Sequence, residues 1–281
     1  MSNASDVKEY TGYKYVAEDE LISRIYSSNK TDNAVECLVN EYAIICDSEG
    51  IPRDKLRWDG ERFVDVPFQH IQSRFGGKTK PRNLQQELLI DMLKNNDITV
   101  KMVAGRFGSG KTFLLSAAAI QMIEEGIYDR IVLIRNNVKL ADAREIGFLP
   151  GDSNDKLLPW LACFSDALGG DGMLKMMIDE NKVVAQHLGS IRGRDIKHSI
   201  IFVSEAENLT KEHFQLLISR VGEGSTIWFD GDLKQVDAEV FRKNSGMKIA
   251  VERLAGHPRF GYVKLLKSER SETAAMADLL D

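Results

Sequence analysis

Segments with helical periodicity alternate with short apolar runs through the chain from Asn83 onward. The apolar runs predict strands at residues 98–104, 130–134, 183–187, 199–203, 226–229 and 262–266. The intervening segments predict helices at residues 84–94, 110–125, 155–168, 211–221 and 238–255. Such alternation favours an α/β fold in which helices cover both faces of a mostly parallel sheet.

The amino-terminal part has a different pattern, which predicts a small β-rich module. An apolar run covers Tyr42–Cys46, and an Asp59-Gly60 pair stands between two further runs of apolar and aromatic residues. An Asp-Gly pair in that setting is a hairpin signal. A helix is expected around residues 18–27, ahead of the strands.

These two patterns divide the chain into two expected parts. Residues 1–80 form a helix plus β-hairpin module that ends in a basic linker, and residues 81–281 form the larger α/β domain. The linker at residues 74–82 carries four positive and no negative side chains. It is either a solvated connection or a phosphate-contacting segment, in which Lys78 and Lys80 would be the contacts.

Composition and charge are those of an ordinary globular protein. Of the 281 residues, 43% are hydrophobic and 28% are charged, and the net charge is −5. Residues 1–66 carry 8 basic and 14 acidic side chains, whereas residues 67–281 carry 29 and 28. Any nucleic-acid surface must therefore be local.

Several classes of protein are disfavoured. The three cysteines form no C-x-x-C pair and the five histidines are scattered, which argues against a disulfide framework and a zinc site. No apolar run approaches the roughly 18 residues of a membrane helix, and the N-terminus does not resemble a signal peptide. We therefore expect a cytoplasmic protein without membrane contact.

The strongest single signal is the run G-R-F-G-S-G-K-T, which matches G-x-x-x-x-G-K-S/T between a predicted strand and a predicted helix. Its glycines let the backbone curl so that consecutive N–H groups point inward, and the following helix adds the positive end of its dipole. The triphosphate of ATP is the matching ligand. The residues predicted to bind it are Gly105, Arg106, Phe107, Gly108, Ser109, Gly110, Lys111 and Thr112.

Two residues of this P-loop have specific chemistry. We expect Lys111 to bridge the β- and γ-phosphates, and the Thr112 hydroxyl to ligate Mg²⁺. ATP and Mg²⁺ are therefore the predicted cofactors.

An acidic residue at the end of the apolar run 199–203 is the candidate for activating water. Four apolar residues followed by acid are typical of a Walker B strand, where a first acid holds the Mg²⁺ shell and a second activates water. Here Ser204 occupies the first position and Glu205 the second. Alternatively, Glu205 only begins the acidic turn at residues 205–208.

Together with the G-D-L-K-Q run at residues 231–235, these motifs resemble the single-core relatives of superfamily 1 helicases. Further segments narrow the resemblance to the PhoH-like ATPase family: 131–135, 147–152 (G-F-L-P-G-D), 191–194 (I-R-G-R), 204–208 (S-E-A-E-N), 217–222 and 269–271 (E-R-S). The resemblance extends from about Pro81 to the C-terminus. The preceding module looks like the linker region that follows a PIN nuclease domain in some members, and we recognise no PIN domain in the chain.

The resemblance implies a RecA-like or helicase-like P-loop core, ATP hydrolysis, helicase-like action on RNA, and ring-shaped homo-oligomers, often hexamers. Because a single core does not close over ATP, a neighbouring subunit would complete the site and supply an arginine finger in trans. Arg220 and Arg270 are the candidates, and each is alternatively an exposed surface arginine. By the same resemblance, Gln86 reads adenine and Gln235 senses the γ-phosphate; Gln86 is alternatively a helix-surface residue.

The chain departs from the family pattern at position 204, where members usually carry the aspartate of D-E-A-Q-N. Ser204 removes a charge beside Mg²⁺, although its hydroxyl can accept a hydrogen bond from a metal-bound water. Asp230 ends the neighbouring strand, where the family usually has threonine or serine. We hypothesise that the carboxylate near the metal has moved from position 204 to Asp230; alternatively, Asp230 only caps a turn.

Two functions therefore stay open. The first is a Mg²⁺-dependent ATPase that acts on single-stranded RNA as an oligomer. Its expected phosphate contacts are Arg192, Arg194, Lys197, Lys78 and Lys80. The second is a nucleotide switch that binds ATP and hydrolyses it negligibly because of Ser204. A small-molecule kinase is disfavoured, because the motifs at 231–235 and 147–152 have no role in one.

Overall fold

A computed structural model describes residues 9–135, 161–162, 164–236, 239, 241 and 244–269. The amino-terminal module is a four-stranded sheet in which the strands follow chain order: β1 (Tyr13–Val16), β2 (Tyr42–Cys46), β3 (Pro52–Trp58) and β4 (Phe63–Asp65). Helix α1 (Asp19–Ser27) connects β1 to β2, which pair in parallel. The remaining pairs are antiparallel.

The predicted hairpin is confirmed as the connection between β3 and β4. The Asp59 carboxylate accepts hydrogen bonds from the amides of Glu61 and Arg62, both at 2.8 Å, and Gly60 has a φ of +110°. Sequence patterns did not predict β1. This strand has four residues and pairs with a partner 29 positions along the chain, so no local turn signal marks it.

The larger part is a six-stranded parallel sheet with the order β12-β7-β11-β10-β8-β9. The strands are β7 (Val100–Gly105), β8 (Arg130–Arg135), β9 (Val183–His187), β10 (Ser199–Ser204), β11 (Thr226–Gly231) and β12 (Phe260–Leu265). The helices are α2 (Leu84–Lys94), α3 (Lys111–Glu124), α4 (Asp171–Asp179), α5 (Lys211–Ile218) and α6 (Gly246–Leu254).

Two apolar clusters cover the two faces of this sheet. One contains buried residues of α2, α3, α4 and the amino-terminal module, and the other contains buried residues of α5 and α6. The α/β class with helices on both faces, preceded by a small β module, is thus confirmed. Within the described residues, no helix has both the length and the apolar character needed to span a bilayer.

The predicted elements differ from the observed ones mainly at their ends. Within the segment expected as one helix at 238–255, α6 covers Gly246–Leu254, and Ser245 acts as its N-cap and accepts from the amide of Lys248 at 3.3 Å. The helix expected at 155–168 lies partly outside the described residues. Strand β9 has the predicted bounds.

The basic segment at residues 74–82 is partly a hairpin instead of a linker throughout. Strand β5 (Ile71–Ser73) pairs with β6 (Gly77–Thr79), and the hairpin packs along α3. The Glu124 carboxylate accepts from the Ser73 hydroxyl at 2.9 Å and from the Arg74 amide at 2.7 Å. Because Glu124 is about 50 positions away along the chain, the local sequence pattern does not reveal the contacts that hold this hairpin.

The module is joined to the edge strand β12. The Lys264 amide donates to the Thr11 carbonyl at 2.9 Å, and the Asn40 amide group donates to the carbonyls of Pro258 and Phe260. At Gly12 a Cβ atom would lie 1.8 Å from the Tyr262 carbonyl oxygen, so only glycine allows this approach. The module therefore covers an otherwise open sheet edge. A domain boundary at residue 80 stays a prediction.

A buried lysine lies in the strand that leads to the P-loop. The Lys101 side chain is 1% exposed, its ammonium donates to the Leu93 carbonyl at the end of α2, and it lies 5.3 Å from the centroid of the Trp228 ring. Burial lowers the pKa of Lys101 to about 7. The charged form is therefore disfavoured in the folded state.

We expect Lys101→Met to flatten the pH dependence of stability between pH 7 and 10. The folded pKa lies below the unfolded value, so unfolding takes up a proton in this window and stability rises with pH. Removing the amine lowers that slope by up to about 1.4 kcal/mol per pH unit. Urea unfolding at several pH values measures it, with the exposed Lys175 on α4, changed to Met, as control. Equal slopes for Lys101→Met and wild type would contradict the prediction.

Candidate functional site

The carboxyl ends of the parallel strands meet at one edge of the sheet, and the sequence-predicted motifs lie there. The P-loop follows β7, Glu205 follows β10, residues 231–235 end β11, and the chain leaving β12 passes beside the P-loop. Ligands of open parallel sheets bind at this edge. The local motifs are thus brought together by strand order.

The P-loop has the conformation that its glycines permit. Gly108 and Gly110 have φ values of +80° and +83°, which L-residues with a Cβ atom rarely adopt. A Cβ atom on Gly110 would also lie 3.0 Å from the Gln86 amide nitrogen. Helix α3 begins at Lys111, directly after this turn. The positive end of the helix dipole therefore faces the loop's concave side.

Three contacts from distant elements hold the P-loop backbone. The Asp232 carboxylate, after β11, accepts from the Phe107 amide at 3.2 Å. The Glu269 amide, after β12, donates to the Gly108 carbonyl at 2.9 Å. The Gln86 side chain of α2 donates to the Ser109 carbonyl at 3.0 Å. These three braces fix the loop before any ligand binds, which lowers the entropic cost of binding an anion.

Sequence reasoning assigned no role to Glu269 or to Asp232. The Glu269 carboxylate also accepts from the side chain of Asn83, the N-cap of α2, at 2.7 Å. Both acids belong to motifs that carry the family resemblance, at residues 269–271 and 231–235. Their position in those motifs was the available signal.

Lys111 lies over the loop that it belongs to. Its ammonium donates to the carbonyls of Gly105 at 2.6 Å and Arg106 at 3.1 Å. When a phosphate reaches the loop, it would therefore replace these carbonyls as the hydrogen-bond acceptor of the Lys111 ammonium. The phosphate carries a full negative charge and the carbonyls do not, so its Coulomb attraction for the ammonium is stronger and the exchange is favourable.

A carboxylate lies next to the P-loop threonine. The Thr112 hydroxyl donates to the Asp230 carboxylate at 2.5 Å, and Asp230 is 4% exposed. Asp230 belongs to β11, which pairs directly with the P-loop strand β7, whereas Ser204 ends β10, one strand further away. Hydroxyl and carboxylate oxygens are ligands that Mg²⁺ prefers. Thr112 and Asp230 therefore fit a magnesium ion, and this contact supports the relocation hypothesis.

Glu205 has an unusual backbone conformation at the end of β10. Its φ of +56° is left-handed, which costs a non-glycine residue on the order of 1 kcal/mol. The short 3-10 helix Ala206–Asn208 follows and is buried. The sharp turn places Glu205 at the carboxyl end of β10, on the same side of the sheet as the P-loop. Strain of this kind is concentrated at functional sites.

The carboxyl group of Glu207 is buried beside the same turn. It is 7% exposed and accepts from the Asp232 amide at 3.1 Å. Burial raises the pKa of Glu207 to about 7, and Asp230 adds to the increase while Lys111 opposes it. Sequence reasoning gave Glu207 no role. The sequence did contain a signal for Glu207: the chain has an acid at the position where the family pattern D-E-A-Q-N has glutamine.

The two predicted glutamines are placed differently. Gln86 is 3% exposed, and besides the bond to Ser109 its amide oxygen accepts from the Arg82 amide at 2.8 Å. Adenine recognition by Gln86 would require exchange of these bonds and stays a prediction. Gln235 is exposed in the turn after β11, and its backbone amide donates to the Asp232 carbonyl at 3.0 Å.

The predicted basic residues are not gathered on one surface. Arg192 follows the 3-10 helix Leu188–Ile191 at the carboxyl end of β9, whereas Lys197 lies two residues before the amino end of β10. Arg194 lies between them in the same loop, and Lys78 and Lys80 are on or next to β6 along α3. A shared nucleic-acid path stays a prediction.

Arg220, one of the two candidate arginine fingers, does not lie at the P-loop of its own chain. The Arg220 carbonyl accepts from the Ile196 amide at 3.0 Å, which places Arg220 near the amino end of β10. Arg270 and the G-F-L-P-G-D segment at 147–152 lie outside the described residues.

Comparison with known proteins assigns the family. The sequence model described as PhoH-like protein matches residues 78–278. The chain belongs to the PhoH-like protein family. The family expected from the motifs is thereby confirmed.

Two curated relatives give the extent of the similarity. The chain is 33% identical over 300 residues to Protein PhoH2 of Bacillus subtilis, which covers 96% of this chain and 64% of that protein. It is 30% identical over 198 residues to Protein PhoH2 of Thermobispora bispora, which covers 69% and 45%. The chain thus spans less than two thirds of the length of these relatives. A solved structure of Pif1 helicase from Candida albicans aligns with 71% of this chain and 43% of that chain at a TM-score of 0.38 and 14% identity, which is too low to carry an inference.

Proposed function

We propose that the chain is a Mg²⁺-dependent ATPase. The observation that carries the proposal is the Thr112–Asp230 contact directly below a braced P-loop. The helix amino terminus at Lys111 suits the negative charge of a triphosphate, and the hydroxyl and carboxylate oxygens suit its metal ion. Membership of the PhoH-like family supports the same function.

Each residue of the site then has a task. The P-loop amides and the Lys111 ammonium bind the β- and γ-phosphates. Thr112 and Asp230 hold Mg²⁺, which when bound neutralises charge on the phosphate oxygens. Glu205 orients the attacking water and accepts its proton. Gln235, on the neighbouring turn, senses the γ-phosphate through its amide.

RNA and a ring-shaped homo-oligomer, such as a hexamer, belong to the same proposal. Arg220 lies at the edge opposite its own P-loop, so it can act as an arginine finger only on the nucleotide of a neighbouring subunit. Arg192 lies at the nucleotide edge and is the basic residue best placed for single-stranded RNA whose binding responds to ATP.

Phosphate release tests the proposal, with Glu205→Gln as the matched variant. We expect Glu205→Gln to lower the rate about 100-fold, because it removes the general base, while ATP affinity changes little. Single-stranded RNA should raise the wild-type rate. If wild type releases phosphate no faster than Glu205→Gln, the chain is the nucleotide switch that Ser204 suggests. If RNA leaves the rate unchanged, RNA is not the partner.

A further inference from the structure

Asp232 is the centre of a small hydrogen-bond network between two motifs. Its carboxylate accepts from the amides of Phe107 at 3.2 Å and Lys234 at 3.0 Å. Its carbonyl accepts from the Gln235 amide at 3.0 Å. One residue therefore shapes the turn that carries Gln235 and also holds the P-loop.

Glu207 anchors this centre from behind. Its carboxylate accepts from the Asp232 amide at 3.1 Å, and a Cβ atom on Gly231 would lie 2.8 Å from the Glu207 Oε2 atom. The absence of a side chain at Gly231 lets the carboxylate reach the turn. Glu207 itself is fixed by the buried 3-10 helix that follows Glu205. The contacts thus run from the Glu205 segment through Asp232 to the P-loop.

We propose that Glu207 is a positioning residue for the γ-phosphate end of the site, an inference that rests on the proposed ATPase function. By accepting from the Asp232 amide, Glu207 fixes the turn at residues 231–235, and so holds Gln235 in register with the P-loop. This role depends on the side-chain oxygen of Glu207 that accepts from the Asp232 amide, and not on the charge of the carboxylate. A glutamine at position 207 keeps such an oxygen, whereas alanine leaves the buried Asp232 amide unpaired.

Replacing Glu207 with alanine should weaken binding of the γ-phosphate more than binding of the rest of the nucleotide. Without Glu207 the P-loop still has its braces from Gln86 and Glu269, which hold the carbonyls of Ser109 and Gly108. Binding of the α- and β-phosphates is therefore preserved. Only the turn with Gln235 becomes free to move.

The test compares the affinities of ADP and of a non-hydrolysable ATP analogue in the presence of Mg²⁺. In wild type we expect the analogue to bind more tightly than ADP. Glu207→Ala should lower this preference about tenfold, with ADP affinity within about threefold of wild type. Glu207→Gln should keep the preference. Reduced phosphate release should follow the same order of variants.

A matched control separates positioning from general destabilisation. Glu41 is also a buried glutamate, 2% exposed, that accepts from a backbone amide, that of Leu38 at 2.8 Å, but it lies in the amino-terminal module. Glu41→Ala should lower the melting temperature without changing the preference for the ATP analogue. A change in preference with Glu41→Ala would show that destabilisation alone produces the effect and would overturn the inference.

Further results with Glu207→Ala or with wild type would also overturn it. Glu207→Ala could leave the preference unchanged, could weaken both nucleotides equally, or could match Glu207→Gln, in which case the charge matters and the acceptor does not. A wild type without preference for the analogue overturns this inference alone. A wild type that binds neither nucleotide overturns the proposed function.

Discussion

Asp230→Asn is expected to lower Mg²⁺-dependent phosphate release on the order of 100-fold, since a metal ion supplies several kcal/mol of transition-state stabilisation. The substitution keeps an oxygen that can accept from Thr112 but removes the negative charge beside the metal. Fold and P-loop geometry should therefore persist. Phosphate release at several Mg²⁺ concentrations measures the effect, and the lost activity should return partly at high Mg²⁺.

A charge swap provides the sharpest control for Asp230. If the carboxylate has moved between neighbouring strands, the double variant Ser204→Asp with Asp230→Ser should recover most of the activity that Asp230→Asn loses, because the net charge at the metal is restored. Asp179→Asn, at the exposed end of α4, should have no effect. Asp230→Asn with nearly wild-type activity would contradict the relocation.

Lys111→Ala is expected to weaken ATP binding by about two orders of magnitude, the effect of removing one partner from a close charge pair. In the free protein the ammonium donates to carbonyls of its own loop, and it would exchange them for phosphate oxygens when ATP binds. Fluorescence titration with a labelled nucleotide measures the affinity. Lys175→Ala, an exposed lysine on α4, is the control. If Lys111→Ala bound ATP as tightly as wild type, the P-loop would not be the ATP site.

The parts of the site that sequence could predict are those encoded by neighbouring residues. The P-loop needs glycines at positions 108 and 110, a preceding apolar strand and a following helix, all within about 25 residues. Strand β9 is likewise a compact apolar run with clear ends. The hypothesis that Asp230 lies near the metal came from the resemblance to the PhoH-like family, whereas the direct pairing of its strand β11 with the P-loop strand β7 is a finding of the structure.

The parts that sequence could not predict depend on contacts between distant segments. The brace from Asp232 to Phe107 joins residues 125 positions apart, and the contact of Glu269 with Asn83 spans 186. Strand β1 and the β5–β6 hairpin are short and weakly patterned, and tertiary packing decides them. Gln86 is buried because it lies on the face of α2 that packs against the P-loop. The alternative that Gln86 is a helix-surface residue did not include this packing.

Calorimetric titration of the wild-type chain with ATP, with and without Mg²⁺, tests the central claim most directly. We expect one ATP per chain, with tighter binding when Mg²⁺ is present and with that gain lost in Asp230→Asn. Absence of ATP binding, or the same gain from Mg²⁺ in wild type and Asp230→Asn, would contradict it.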